Sequence, residues 1–146
     1  MKVQIKKLYP DAELPAYARP GDAGMDLRAY LPKAMWLQSG ECRLIPTGIA
    51  VHVADQNFVA FILPRSGLGH KHGIVLGNLT GTIDAPYQGE LMISAWNRSD
   101  RAYEIQPGER IAQLIVQRIE RVEWEVVEAF DASERGDGGF GHSGRN

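Results

Sequence analysis

The sequence runs to 146 residues, 44% of them hydrophobic, which suits one compact unit with a sizeable core and leaves no room for a second domain. Its formal net charge is only −2 with 23% charged residues, so no global field draws it to nucleic acid or to an anionic membrane, and any phosphate binding must be local. A single cysteine, Cys42, excludes an internal disulfide framework, and no window reaches the ~18 consecutive apolar residues of a membrane span.

Met1 to Ile5 leads straight into a strand-like run instead of a signal peptide, so a soluble, cytoplasmic protein is expected. The first polar cluster follows a Pro20-Gly21 turn: Asp22-Ala23-Gly24-Met25-Asp26-Leu27. Its two carboxylates could hold a hydrated magnesium ion, or serve only as an Asx turn feeding a strand. Cys42, with no Cys-x-x-Cys or Cys-His-Asn context, reads as a buried, inert thiol.

Ile49, Val51 and Val53 alternate with Ala50 and His52, a strand period, and Phe58 to Leu63 reads as a strand buried on both faces. Pro64-Arg65-Ser66-Gly67-Leu68-Gly69 then sets a fixed cation, a hydroxyl and glycine-freed amides at the start of a short helix, a composition that favours an anion. The competing reading is an N-cap with a solvated arginine. The spacing is neither that of a Walker loop nor that of a Rossmann fingerprint. His70 and His72 would share a face on a strand but diverge on this helix turn, which argues against zinc.

The longest cluster, Gly77 to Glu90, carries Asn78, Thr82, Ile83, Asp84 and Tyr87. Thr80-Gly81 is expected to turn a hairpin whose inner edge could read a planar base, with Asp84 at the strand end and Tyr87 as a flat ring. Asp84-Ala85-Pro86 as a mere turn, and Tyr87 as a core aromatic, are the plainer alternatives.

Leu91 to Trp96 and Ile111 to Val116 add two more strands, the second entered through Gly108-Glu109-Arg110-Ile111-Ala112-Gln113. Val122, Trp124 and Val126 alternate with Glu123 and Glu125 and predict a last strand. From Asp131 to Asn146 only Ala132 and Phe140 are apolar among five glycines, so residues 131–146 form an arm outside the domain of residues 1–130. Such an arm is a disordered tail, or a lid that orders over a ligand. The turn spacing suits an all-β sandwich or jelly roll with one short helix and a glycine-rich C-terminal arm.

Taken in order, the five polar clusters resemble the five sequence motifs of the trimeric dUTPase family, and the resemblance extends from about Leu8 to Gly144. It implies a β jelly-roll homotrimer with active sites shared between subunits, no nucleic-acid or membrane partner, and hydrolysis of dUTP to dUMP and pyrophosphate. That reaction keeps uracil out of DNA and supplies dUMP for thymidylate synthesis. By the same resemblance Asp84 is the general base for a water attacking the α-phosphorus and contacts the 3′-hydroxyl. Asn78, Thr82 and Ile83 read the uracil edge, and Tyr87 packs against the sugar where a 2′-hydroxyl would clash. Met92 lies at sugar and base. Arg65, Ser66 and Gly67 hold the phosphate chain, with Gln113 near the α-phosphate or the attacking water. Asp26 binds Mg2+ through water, Arg135 meets the γ-phosphate, and Phe140 closes over the uracil.

The arm ends Gly141-His142-Ser143-Gly144 where many members have Gly-Ser-Thr-Gly, which leaves the phosphate contacts to His142 or Ser143. Two neighbouring activities compete. A dCTP deaminase of the same fold would show Arg-Ser-Ser with a further arginine four residues after the serine, where this chain has Arg65-Ser66-Gly67-Leu68-Gly69-His70. A non-catalytic dUTP-binding regulator would need neither Asp84 nor an intact arm.

Overall fold

The computed structural model describes residues 1–133 and 136–137. Arg135, Phe140, Gly141, His142 and Ser143 lie outside the described residues.

The protein is a jelly-roll sandwich. One antiparallel sheet has the order β1-β4-β8-β6, built from Gln4–Lys7, Cys42–His52, Glu90–Asn97 and Ile74–Leu76. The facing sheet has the order β2-β10-β5-β7, from Met25–Arg28, Arg110–Arg118, Phe58–Pro64 and Gly81–Ile83. A small third ladder pairs β3 (Met35–Leu37) with β9 (Tyr103–Ile105). Strand β8 shows why the sequence pairs this way. Leu91, Ile93, Ala95 and Asn97 point inward, while Met92, Ser94 and Trp96 are exposed or half-buried on the other face. Ile45, Ile49, Leu91 and Ile93 from the first sheet meet Leu27, Ala60, Ile62, Ile111 and Leu114 from the second in one apolar core.

Asn97 is fully buried at the end of β8, and its side chain is satisfied. Its amide donates to the carbonyls of Leu37 at 2.9 Å and Arg101 at 2.7 Å, while its oxygen accepts from Ser99 N–H at 3.0 Å. The small ladder is thereby tied to the main sandwich.

Helix α1 spans Ser66–His72, as the sequence predicts, but its N-cap is Arg65 and no side chain caps it. It stops because Gly73 turns left-handed, φ 69°, and donates its N–H to Gly69.

Three expectations fail. Val122, Trp124 and Val126 are in no strand and are 69%, 88% and 95% exposed, since no strand among the described residues lies alongside to receive their alternation. Thr80-Gly81 closes no paired hairpin: β6 pairs with β8 in one sheet and β7 with β5 in the other, so the turn crosses between sheets. Leu79, at φ 62°, makes that crossing. Cys42 is exposed rather than buried, because β4 begins on the outside of its sheet and enters the core only at Ile45.

Candidate active site

Central strand β10 positions the first cleft. Its Gln113 lies opposite Asp26 of β2 on one side and Leu63 of β5 on the other, so three sequence-distant clusters converge. Arg65, where β5 gives way to α1, directs Nε to Asp26 Oδ1 at 2.8 Å and donates from Nη1 to the Arg110 carbonyl at 3.1 Å. Arg110 Nη1 meets the other Asp26 oxygen at 3.1 Å. The Gln113 amide donates to the Pro64 carbonyl at 3.0 Å. Asp26 is thus a bridging anion between two guanidinium groups in a cleft of about 680 Å³. The solvated-arginine reading of Arg65 falls with that contact.

Arg110 was not singled out by the sequence, for a physical reason. In a regular strand Arg110 and Gln113, three residues apart, face opposite sides. A bulge between Arg110 and Ala112 shifts the register against β2, and both residues line the same cleft. Arg19 and Asp22 complete its rim. The first-turn amides of Ser66, Gly67 and Leu68 have no intrahelical acceptor by the nature of a helix start, and a β-carbon on Gly67 would meet nothing within 4 Å. No neighbour among the described residues therefore requires that glycine.

Asp84 lies elsewhere. It stands exposed just past β7 and lines a separate cleft of about 470 Å³ with His52, Ala54, Pro86 and Arg121. Its loop is pinned from both ends: the Tyr87 N–H donates to the Asp84 carbonyl at 3.0 Å, and the Ala54 N–H to the Ala85 carbonyl at 2.9 Å. Ala54 itself sits at φ 65°, an uncommon conformation for a residue with a β-carbon. The Tyr87 hydroxyl donates to the Glu90 carbonyl at 2.8 Å, which fixes a ring that is 41% exposed. Asn78 and Thr82 are exposed and Ile83 half-buried beside it, while Met92 projects from the outer face of β8 at 37% exposure.

Within one chain, then, Arg65, Ser66, Gly67, Asp26 and Gln113 share a cleft, and Asp84 lines another with no residue in common. The first is equipped to grip a polyanion. The second presents a carboxylate to solvent beside an exposed turn and an anchored aromatic ring.

The sequence profile of the dUTPase family matches residues 10–144. The deoxyuridine 5′-triphosphate nucleotidohydrolase of Serratia proteamaculans (strain 568) is 57% identical, covering 99% of this chain and 98% of the relative. That of Pectobacterium carotovorum subsp. carotovorum (strain PC1) is 59% identical with the same coverage. Among solved structures, the dUTPase of Staphylococcus bacteriophage 80alpha with dUpNHpp aligns at a TM-score of 0.87 and 32% identity, covering 99% of both chains. A variant dUTPase from phage phi11 of S. aureus, whose structure concerns the coordination of a structural Mg(II) ion, aligns at 0.79 and 26% identity. That alignment covers 90% of this chain and 100% of that one.

Proposed function

This chain belongs to the dUTPase family, and from that premise we propose that it hydrolyses dUTP to dUMP and pyrophosphate at sites shared between the chains of a homotrimer, with Asp84 as the base. As a dUTP diphosphatase it is a hydrolase of nucleotide metabolism, and its work on the nucleotide pool fits the cytoplasm. One observation carries the shared-site reading: the carboxylate and the phosphate grip line different clefts of one chain. A second chain that apposes its Asp84 cleft to the Arg65 cleft completes the site. Apolar side chains left in water support such partners, Leu44 at 67% and Leu79 at 72% exposure on the body, and Trp124 at 88% and Phe130 at 93% beyond it. Residues 1–130 form the jelly-roll domain in this reading, and residues 131–146 the arm that closes over a site of the assembly.

In the reaction Asp84 takes a proton from water as the oxygen attacks the α-phosphorus in line. The bond to the bridging oxygen breaks and pyrophosphate leaves. Arg65 and the amides of Ser66 and Gly67 hold the phosphate chain against the charge that develops on the leaving group. Gln113, anchored through its amide on Pro64, offers its remaining polar atoms to the α-phosphate or the water. The turn at Asn78, with Thr82 and Ile83, hydrogen-bonds the uracil edge, so a cytosine leaves buried groups mismatched. Tyr87 and Met92 line the sugar. From the arm, Arg135 meets the γ-phosphate, Phe140 covers the base, and Gly141, His142 and Ser143 follow the phosphates.

The donor set suits Mg2+ brought in on the triphosphate. Asp26 oxygens each accept one arginine contact and keep further lone pairs for a metal-bound water. When bound, the ion neutralises phosphate charge; Asp26 would hold it through water.

The test is to present the common nucleoside and deoxynucleoside triphosphates and follow pyrophosphate and ammonia. Pyrophosphate from dUTP alone is expected. Ammonia from dCTP would instead establish the deaminase, and tight dUTP binding without turnover would establish the regulator.

A further inference from the structure

The phosphate cleft contains a cation that its own anions do not occupy. Arg65 and Arg110 both direct guanidinium nitrogens at Asp26, so part of their donor capacity is already committed. Arg19 lines the same cleft, and among the described residues its guanidinium makes no ion pair. Its backbone is nevertheless held. The Arg19 N–H donates to the Asp22 carboxylate at 2.9 Å, and the Asp22 N–H returns to the Arg19 carbonyl at 3.2 Å. Between them Pro20 presets φ, and Gly21 takes φ 90°, which a side chain would resist.

The turn therefore fixes where the arginine stem begins, while among the described residues its head group has no partner. The carboxylate that would most readily neutralise that head, Asp22, is oriented onto the Arg19 backbone instead. Counting side chains in the cleft, Arg19, Arg65 and Arg110 face Asp22 and Asp26, an excess of one positive charge before any ligand arrives. Removing Arg19 would cancel it.

We propose that Arg19 is a substrate-binding residue that contacts the terminal phosphate of the triphosphate from the rim of this cleft. This rests on the dUTP-hydrolase reading. A contact to the terminal phosphate is remote from the α–β bond that breaks, so it raises affinity for the triphosphate over the monophosphate and adds little to the chemical step. Because the contact is made at a solvated rim, it is screened by salt.

The experiment compares the parent protein with Arg19→Gln and Arg19→Lys, using turnover of dUTP across ionic strength and calorimetric titration with dUpNHpp and with dUMP. For Arg19→Gln, KM for dUTP and Kd for dUpNHpp should rise about 5- to 20-fold, the scale of one charge-assisted contact at a partly exposed site. Its kcat should stay within about twofold, as befits a contact made equally in ground and transition states. Affinity for dUMP should hold, and kcat/KM should depend less steeply on salt. Arg19→Lys, which keeps the charge, should stay within about threefold of the parent.

Unchanged KM and salt dependence in Arg19→Gln would overturn the assignment. So would an equal loss of dUMP affinity, or a Lys variant as impaired as the Gln variant. A parent protein that turns over no dUTP would instead refute the underlying hydrolase reading, so the two failures are distinct.

Discussion

The backbone of Gly24 runs directly against the side-chain amide of Gln113, and a β-carbon at position 24 would collide with Gln113 Oε1 and lie 3.2 Å from its Cδ. Because that amide is also anchored on the Pro64 carbonyl, it cannot turn aside without losing a hydrogen bond. Gly24→Ala should therefore displace Gln113 and lower kcat/KM for dUTP by about tenfold or more, while the overpacking costs about 1–3 kcal/mol of stability. Steady-state kinetics beside thermal unfolding checks this. Parent-like kinetics in a folded Gly24→Ala protein would separate Gln113 from the reaction.

Tyr87 is held by the Glu90 carbonyl, so its ring cannot swing away from an incoming sugar without breaking that bond. Tyr87→Ala should improve the use of UTP relative to dUTP by about 1–3 kcal/mol in transition-state terms if the ring is the main barrier to a 2′-hydroxyl. Tyr87→Phe keeps the ring but frees it, and should fall between. The measurement is the ratio of kcat/KM values for the two nucleotides; a ratio unmoved in both variants means that another group filters the sugar.

Alkaline stability depends on Tyr103. Burial, and then the hydrogen bond it donates to Glu109 at 2.5 Å, push its pKa from the ordinary 10 to about 12. The folded state thus keeps a proton that the unfolded chain has released, and stability must fall as pH rises between about 10 and 12. Below that window the contribution is complete. Tyr30 is raised as well, first by its hydrogen bond to Asp11, so the parent loses stability through more than one group. Denaturant unfolding across that range should show a shallower decline for Tyr103→Phe than for the parent. Identical slopes would mean that the Tyr103–Glu109 bond adds no pH dependence.

A mixing experiment tests the shared site. Asp84→Asn should lose about 100-fold or more in turnover, the usual scale for a general base, while dUpNHpp binding changes by only a few fold. A chain lacking residues 134–146 should also be nearly inactive. In randomly exchanged trimers of equal parts, a site works when its base comes from a truncated chain and its arm from an Asp84→Asn chain, which occurs at about a quarter of sites. Activity should return to about that fraction of the parent. No recovery, after native mass spectrometry has shown exchange, means that base and arm act within one chain.

The strands around Phe58, Leu91 and Ile111 and the helix at Ser66 were legible in the sequence because each follows from local pattern: apolar period, bounding turns, or two glycines shortening a helix. The five polar clusters were legible for the same reason, as contiguous stretches whose order alone carries the family resemblance. What depended on pairing was not. Val122, Trp124 and Val126 have a perfect strand period, yet a period specifies a face and not a partner, and no strand among the described residues supplies one. The exposure of Cys42 follows from which end of β4 reaches the core first, a matter of register with β8. Arg110 enters the cleft of Asp26 only because a bulge turns it to the side of Gln113, and Asp26 meets Arg65 only because β10 lies between their strands. Which residues could carry phosphate chemistry was readable stretch by stretch, since charge, hydroxyl and glycine content are local properties. Which of them share a cleft, with Asp84 lining another, emerged on folding alone, because side-chain proximity across a sandwich is set by strand order and register between segments far apart in the chain.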